Sequence, residues 1–284
     1  MRVLVTGARG LLGAAIVREF RGHADVIARD HQQLDVADDR AVAETFAQAR
    51  PDAVVNCAAY NDVDGAEDHP ADALEVNAFG VLALARAARR AGASLVHYSS
   101  DFVFDGEARQ PYTEEDPPNP RGAYAASKLL GDWFALEAPS AWILRVESLF
   151  GTPAPGGTRV GSLGTIVDRI RNGNEVPVFT DRTVSPSYTT DVARATRDIL
   201  ARRPPAGIYH CVNDGAATWA DVAAEAARCL GRPLRMKGIT LETAALKARR
   251  PRYCALSSAK LARAGIVMPP WQDALRRYFA ERIS

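Results

Sequence analysis

Lysine is scarce in this sequence, and so is any excess of charge. Of 35 basic residues only four are lysine, at 128, 237, 247 and 260, and with 34 acidic residues the formal net charge is +1. No overall field could hold a nucleic-acid backbone or an anionic membrane surface, so any bound anion must be met by a local site. Cysteine is also thin. Cys57, Cys211, Cys229 and Cys254 have neither zinc spacing nor the density of a disulfide scaffold, and they read as buried thiols in a reducing cytoplasm. No apolar run reaches membrane-spanning length. The opening MRVLVTG is too short for a signal-peptide core before its glycine ends it. Internal repeats and low-complexity tails are absent too.

What remains is ordinary globular composition: 284 residues, 47% hydrophobic and 24% charged, enough for a large core without disulfides or metal. Short β-branched runs alternate with helical stretches. Strands are predicted at 2–6, 25–28, 53–56, 94–99 and 141–146, and helices at 12–21, 39–49, 71–91 and 124–136. That rhythm predicts an α/β fold, a doubly wound parallel sheet of the Rossmann type. After Gly151 the run 152–164 is rich in Gly and Pro, and the later periodicity is shorter. A dinucleotide-binding domain is therefore expected over 1–150, with a strand near 207–212 added to its sheet. A smaller, interleaved substrate-binding region is expected over 151–284.

Gly7, Gly10 and Gly13 in TGARGLLG follow the first strand and open the first helix. There, glycines let the backbone approach a pyrophosphate while the helix N-terminus supplies N–H donors. The plain alternative is a Gly-rich turn, which the βαβ context disfavours. About 20 residues on, Arg29 and Asp30 end the second strand; an acidic residue there suits the ribose of NAD and a basic one the extra phosphate of NADP. Arg9 inside the glycine loop adds a second cation, so NADPH is favoured with NADH open. Asp35 and Val36 are placed to cradle the adenine edge.

Tyr124 and Lys128 are four apart on a predicted helix, on one face, where an ammonium stabilises a phenolate. Such pairs arise by chance in many helices. In a chain that otherwise uses arginine, however, a lysine kept here points to a compact, tunable charge. Ser99, Ser100 and Asp101 end the fourth strand at the carboxyl edge of the sheet, where a hydroxyl can meet the oxygen being reduced; a polar turn is the alternative. His97 reads as a packed core residue. None of the five histidines pairs with a ligand partner at metal spacing, so no metal site is expected.

Together these residues resemble the extended short-chain dehydrogenase/reductases, and more closely the dTDP-4-dehydrorhamnose reductase family. The resemblance spans nearly the whole chain through Val55 to Tyr60, Val63 to Glu67, Val76-Asn77, His97 to Gly106, Tyr124 to Gly131, Thr218-Trp219 and Arg249 to Pro251. It implies NAD(P)H-dependent reduction of a 4-keto-6-deoxy nucleotide sugar, most closely dTDP-4-dehydrorhamnose to dTDP-rhamnose. Tyr124 is then the proton donor, Lys128 meets the nicotinamide ribose, and Ser100 stands where threonine is usual. Gly10, Leu11, Leu12, Asp30, Asp35, Val36, Ala59, Tyr60 and Asn61 fall at cofactor positions beside Ala58, and Ser100, Asp101, Tyr124 and Ser148 at substrate positions.

Three residues depart from the family's pattern: Phe102 for tyrosine, Ser148 for tryptophan and Asn61 for threonine. The catalytic hydroxyls survive while the sugar pocket changes, unless Trp142 or Tyr188 refills it. Epimerase chemistry stays open as an alternative, and so does a non-catalytic NADP-binding regulatory subunit. The expected partner is the nucleotide sugar, with no nucleic acid or membrane, and a homodimer is an assembly open to it.

Overall fold

Apolar residues on both faces of a strand require a sheet covered on both sides, and Val3, Leu4 and Val5 of the first strand, β1 (Arg2–Thr6), are all fully buried. The computed structural model describes residues 1–155 and 161–283, so part of the Gly/Pro-rich run at 152–164 lies outside the described residues. After β1 come α1 (Leu11–Phe20), β2 (Asp25–Arg29), α2 (Asp39–Ala49), β3 (Ala53–Asn56), α3 (Gly65–Asp68), α4 (Pro70–Leu74) and α5 (Gly80–Ala91). Next are β4 (Ser94–Ser100), α6 (Ala123–Ala135), β5 (Ala141–Val146), β6 (Leu149–Phe150), α7 (Gly161–Arg171), β7 (Val176–Phe179), β8 (Thr183–Val184) and β9 (Ser187–Tyr188). The chain ends with α8 (Thr189–Arg202), β10 (Gly207–His210), β11 (Ala217–Thr218), α9 (Trp219–Leu230), β12 (Met236–Ile239), α10 (Ala259–Arg263) and α11 (Trp271–Ile283).

Six parallel strands form the central sheet in the order β10-β5-β4-β3-β1-β2. Alternate residues face opposite sides. Val5, Val55, Val96 and Leu144 pack under α1 and α8, while Leu4, Val54, Leu95 and Ile143 pack under α2 and α5. β10 pairs with β5, so the later chain returns to the sheet; its strand ends at His210, two residues short of the expected 212, because Asn213 turns away to accept from Tyr188 N at 2.7 Å. The remaining small sheets, β8 with β11, β7 with β12 and β6 with β9, surround a separate apolar cluster that includes Phe150, Tyr188, Trp219 and Tyr278.

One expected element is broken. The helix predicted over 71–91 is α4, then a π-helical turn at Glu75–Phe79, then α5. The extra residue in that turn aims Asn77 inward: its amide accepts from Tyr60 N at 2.9 Å and donates to Tyr60 O and Ser127 Oγ, both at 3.0 Å. A 3.6-residue pattern cannot show an inserted residue, and π-turns recur at functional sites because they re-aim one side chain.

Asn77 leaves no room on α6. A Cβ on Gly131 would lie 2.1 Å from the Asn77 carbonyl oxygen. Alanine gains about 1 kcal/mol of helix propensity over glycine, whereas overpacking against backbone costs about 1–3 kcal/mol or more. Gly131→Ala is therefore expected to lower unfolding stability by about 1–3 kcal/mol in urea titration. A neutral or stabilised variant contradicts this contact.

Candidate active site

The strand order reverses between β1 and β3, and a crevice opens above their carboxyl ends. Gly7, at φ 61, sits where a Cβ would meet Ala58 N and the Cys57 carbonyl carbon at 2.6 Å. Gly13 is tighter, with Gly7 O 2.2 Å from its Cβ position. Both glycines let loop and helix close on each other, and Gly10 caps α1 without a side-chain hydrogen bond, which leaves the helix's first N–H groups for an anion. Thr6 Oγ1 donates to Asn56 Oδ1 at 2.6 Å, and that oxygen also takes Ala58 N–H at 3.1 Å, fixing the facing loop.

Two cavities meet over this crevice. The outer one is walled by Gly7, Arg9, Asp30, Asp35, Val36 and Tyr60, together with His31, Gln32 and Leu34, which sequence reasoning missed. Asp30 Oδ1 accepts from Gln33 N at 3.1 Å, and Arg9 lies 3.8 Å from its other oxygen. Arg29 does not share this wall: its guanidinium turns back to Ala28 O at 3.2 Å.

The inner cavity, of about 330 Å³, is lined by Leu11, Leu12 and Gly13 on one side and by Ser100, Asp101, Tyr124, Lys128 and Ser148 on the other. Gly10, Cys57, Ala58, Ala59 and Asn61 line both cavities, so one elongated ligand can cross from one to the other. A glycine cradle, an open helix N-terminus and two joined chambers fit a dinucleotide.

Tyr124 enters on the first turn of α6, whose N-terminus is held by Glu67 Oε1 accepting from Ala123 N at 2.8 Å. One turn later Lys128 is 2% exposed and donates to Tyr98 O at 2.6 Å. Burial pushes its ammonium down to about 8, against the opposing pull of Asp132 and Cys57. Asp132 in turn accepts from Arg145 Nε and Nη2, both at 3.2 Å. Ser100 caps the short turn Asp101–Val103, accepting from Phe102 N at 3.2 Å and donating to Asp101 Oδ1 at 2.9 Å. Phe102 sets its edge on the Tyr124 ring, 5.7 Å between centroids.

A family described as RmlD substrate binding domain matches residues 1–283. The chain belongs to that family. Among relatives similar to this RmlD-family chain, a probable dTDP-4,6-dihydroxy-2-methyloxan-3-one 4-ketoreductase of Streptomyces antibioticus is 39% identical, over 99% of this chain and 95% of that one. The dTDP-4-dehydrorhamnose reductase of Streptomyces griseus is 37% identical, over 98% and 93%. A solved structure of the dTDP-4-dehydrorhamnose reductase of Bacillus anthracis, in complex with NADP, superposes with a TM-score of 0.92 over 99% of each chain at 29% identity.

Within the RmlD-family site, Ser148 lies in the left-handed region at φ 42, and its hydroxyl donates to Glu147 Oε1 at 2.5 Å. Neither Trp142 nor Tyr188 fills the space beside it. Trp142 is buried in β5 and donates to Pro204 O at 3.0 Å, and Tyr188 stacks on Phe150. Glu147 itself lines the cavity and was missed, since a carboxylate one residue past a buried strand carries no motif. Asp101, Glu147 and Cys254, far apart in sequence, come within 4.8 Å of one another, a cluster that spacing could not reveal. His97 is packed in β4 with Nδ1 3.1 Å from Asn56 Nδ2.

With only four lysines, Lys128 can be read directly. Side-chain NMR of the ligand-free protein is expected to show one lysine titrating at about 8, lost in Lys128→Met. A midpoint in the ordinary range near 10.4 would contradict the buried-ammonium reading.

Proposed function

We propose that this RmlD-family protein is an NADPH-dependent reductase of the C4 carbonyl of a 4-keto-6-deoxy nucleotide sugar, dTDP-4-dehydrorhamnose giving dTDP-rhamnose. The observation that carries the reading is one cavity in which Tyr124, Lys128 and Ser100 face the glycine loop and join the outer chamber. The names of the relatives supply the sugar.

When bound, the reduced nicotinamide supplies a hydride to the carbonyl carbon. Tyr124 gives its phenolic proton to the carbonyl oxygen, so ketone, hydride and proton balance as alcohol. Lys128 stabilises the phenolate left behind. A lysine ammonium has three donors, and one is fixed on Tyr98 O, which holds the group in place while leaving the others for Tyr124 and a ribose hydroxyl. Ser100 orients the carbonyl. Gly10, Leu11, Leu12, Ala58, Ala59 and Asn61 seat the dinucleotide, and Arg9 faces its adenosine end. The four free thiols suit a reducing cytoplasm, and among the described residues no helix is long and apolar enough to cross a membrane.

A panel of 4-keto-6-deoxy nucleotide sugars, followed by NADPH absorbance, tests the reading directly. Oxidation dependent on one of them supports it. Cofactor binding with no turnover and a stoichiometric protein partner overturns it in favour of a regulatory subunit. Tyr124→Phe is expected to lower kcat by roughly 10² or more while NADPH affinity holds, because only the proton donor is removed. Near-normal kcat in that variant would remove Tyr124 from the role.

Cofactor choice has its own expected outcome. Arg9→Ala should weaken NADPH by about tenfold or more and NADH far less, since only the former offers a phosphate to a charge-assisted hydrogen bond. Arg29→Ala should leave both nearly unchanged. Fluorescence titration of the two variants with each cofactor checks this, and equal losses for both cofactors on Arg9→Ala would contradict it.

A further inference from the structure

Apolar side chains that join neither core gather on the outer face of two neighbouring helices. Phe79, at the end of the π-helical turn, is 46% exposed, and Trp133 on α6 and Leu136 at its C-terminal cap are 57% and 46% exposed. These are three of the seven large apolar side chains left exposed among the described residues, and each of the other four, Met1, Met236, Leu246 and Val267, lies on a different segment. Half-buried Leu82 on α5 and Leu130 and Phe134 on α6 extend the same faces by their spacing. The Phe134 ring lies 6.1 Å from that of Phe79, and Arg86 pairs with Glu137 at 3.6 Å, so the two stripes join. Tyr124, Lys128 and Asp132 occupy the opposite, buried face of α6. A contiguous apolar patch on a folded chain marks a surface that a partner covers.

Charges at the ends of the stripe say which partner fits. Glu75, Phe79, Leu82 and Arg86 follow one another along the outer face at steps of four, three and four, the spacing of a seam between helices. Glu75 has no ion-pair partner among the described residues, and it stands at the opposite end from Arg86. The charged pair and the apolar pair are both centred on one point of the helix, between Gly80 and Val81. A second copy laid antiparallel across this face, about a two-fold axis at that point, sets Glu75 against Arg86 of the partner subunit and Phe79 against Leu82 of the partner subunit. Each contact then occurs twice, with the charged groups about 8 Å along the helix on either side of the axis. Because Phe134 lies beside Phe79, the same axis passes over the part of α6 that carries Trp133 and Leu136, and the two α6 helices meet there. Self-complementarity of this kind is what an isologous dimer requires, whereas an anionic membrane would be repelled by Glu75 and Glu137.

We propose that the outer face formed by the π-helical turn, α5 and α6 is a homodimer interface, in which two copies pair antiparallel as a four-helix layer. Phe79 and Trp133 are its apolar anchors, and Glu75 and Arg86 fix its register. The copy braces α6 from behind, on the side away from Tyr124 and Lys128. This assembly holds whichever ligand the cavity takes.

Sedimentation equilibrium on the full chain is expected to give twice the chain mass of 30.6 kDa at micromolar concentration. Trp133→Glu and Phe79→Glu should each weaken the dimer on the order of 10²-fold or more, the scale of losing an aromatic anchor. Far-UV circular dichroism should be unchanged in both, since neither side chain belongs to a core. Glu75→Arg and Arg86→Glu each set like charges across the interface and should each weaken it about tenfold or more. Mixed in equal amounts, these two variants should associate nearly as well as wild type, because in the heterodimer every reversed residue meets its opposite charge. A wild-type chain that stays monomeric at high micromolar concentration overturns the proposal, and so does a dimer that Trp133→Glu and Phe79→Glu leave intact. A mixture that associates no better than its components overturns the antiparallel pairing.

Discussion

A positive charge held out of water is the constraint around which this fold is arranged. Lys128 must present an ammonium at the cavity wall from a nearly fully buried position, and desolvation works against that charge. The answer is a chain of partners from three elements. Tyr98 O on β4 accepts one hydrogen bond from the ammonium, Asp132 lies one helical turn below on α6, and Arg145 on β5 anchors Asp132 with its guanidinium 5.1 Å from the Phe104 ring centroid. Burial alone would raise Asp132, and Arg145 opposes this. Buried ion pairs contribute little net stability, yet removing one partner leaves an uncompensated charge costing about 3–5 kcal/mol. The network is therefore better understood as fixing where α6 sits against β4 and β5, and hence where Tyr124 points, than as a source of stability.

Local rules are broken near that wall. The π-helical turn at Glu75–Phe79 interrupts a helix to aim Asn77, and Ser148 takes a left-handed conformation without being glycine. Each costs free energy on the order of 1–3 kcal/mol, and each lies within the cavity or one contact from it. Elsewhere several elements keep ordinary caps, although Arg50, Arg203 and Ala245 also take left-handed conformations. α9 begins with a reciprocal capping box between Thr218 and Asp221 and ends on Gly231 in the left-handed region, and α2 is capped by Asp38.

The two lobes divide the labour. The six-stranded sheet, with apolar clusters on both faces, holds the glycine loop and the Tyr124 helix in fixed register. Short two-stranded pairings in the second lobe deliver Arg182 and Ser185 from the β8 and β9 region, and the segment 248–254 brings Arg250 beside Phe102 and Cys254 beside Asp101 and Glu147. Arg250 is tied to Asp64 at 3.0 Å, which clasps the second lobe to the first beside Phe102, while Arg182 is held within the second lobe by Pro251 O at 3.1 Å. Ser100 and Tyr124, which line the cavity, come from the first lobe, and the groups around Asp101 come from both.

How much could be read in advance follows from the range of each interaction. Gly7, Gly10, Gly13, Tyr124 and Lys128 were legible because their geometry is local: a strand, a turn and a helix fix their spacing within a few residues. The parallel sheet was legible from runs such as Val3-Leu4-Val5, whose burial on both faces leaves no other element to host them. The π-turn was not, since an inserted residue is invisible to a 3.6 period until Asn77 is seen bonding to Tyr60. Nor was the hydrogen bond of Arg29 to Ala28 O, because the side a strand-end residue takes depends on its neighbours. Above all, Glu147, Arg182 and Cys254 lie up to 107 positions apart in sequence and meet Asp101 only through the packing of two lobes. The sequence by itself determined where the glycine loop and the Tyr124–Lys128 pair lie; only the tertiary structure decided what surrounds them, because burial and long-range charge exist only once the chain has closed.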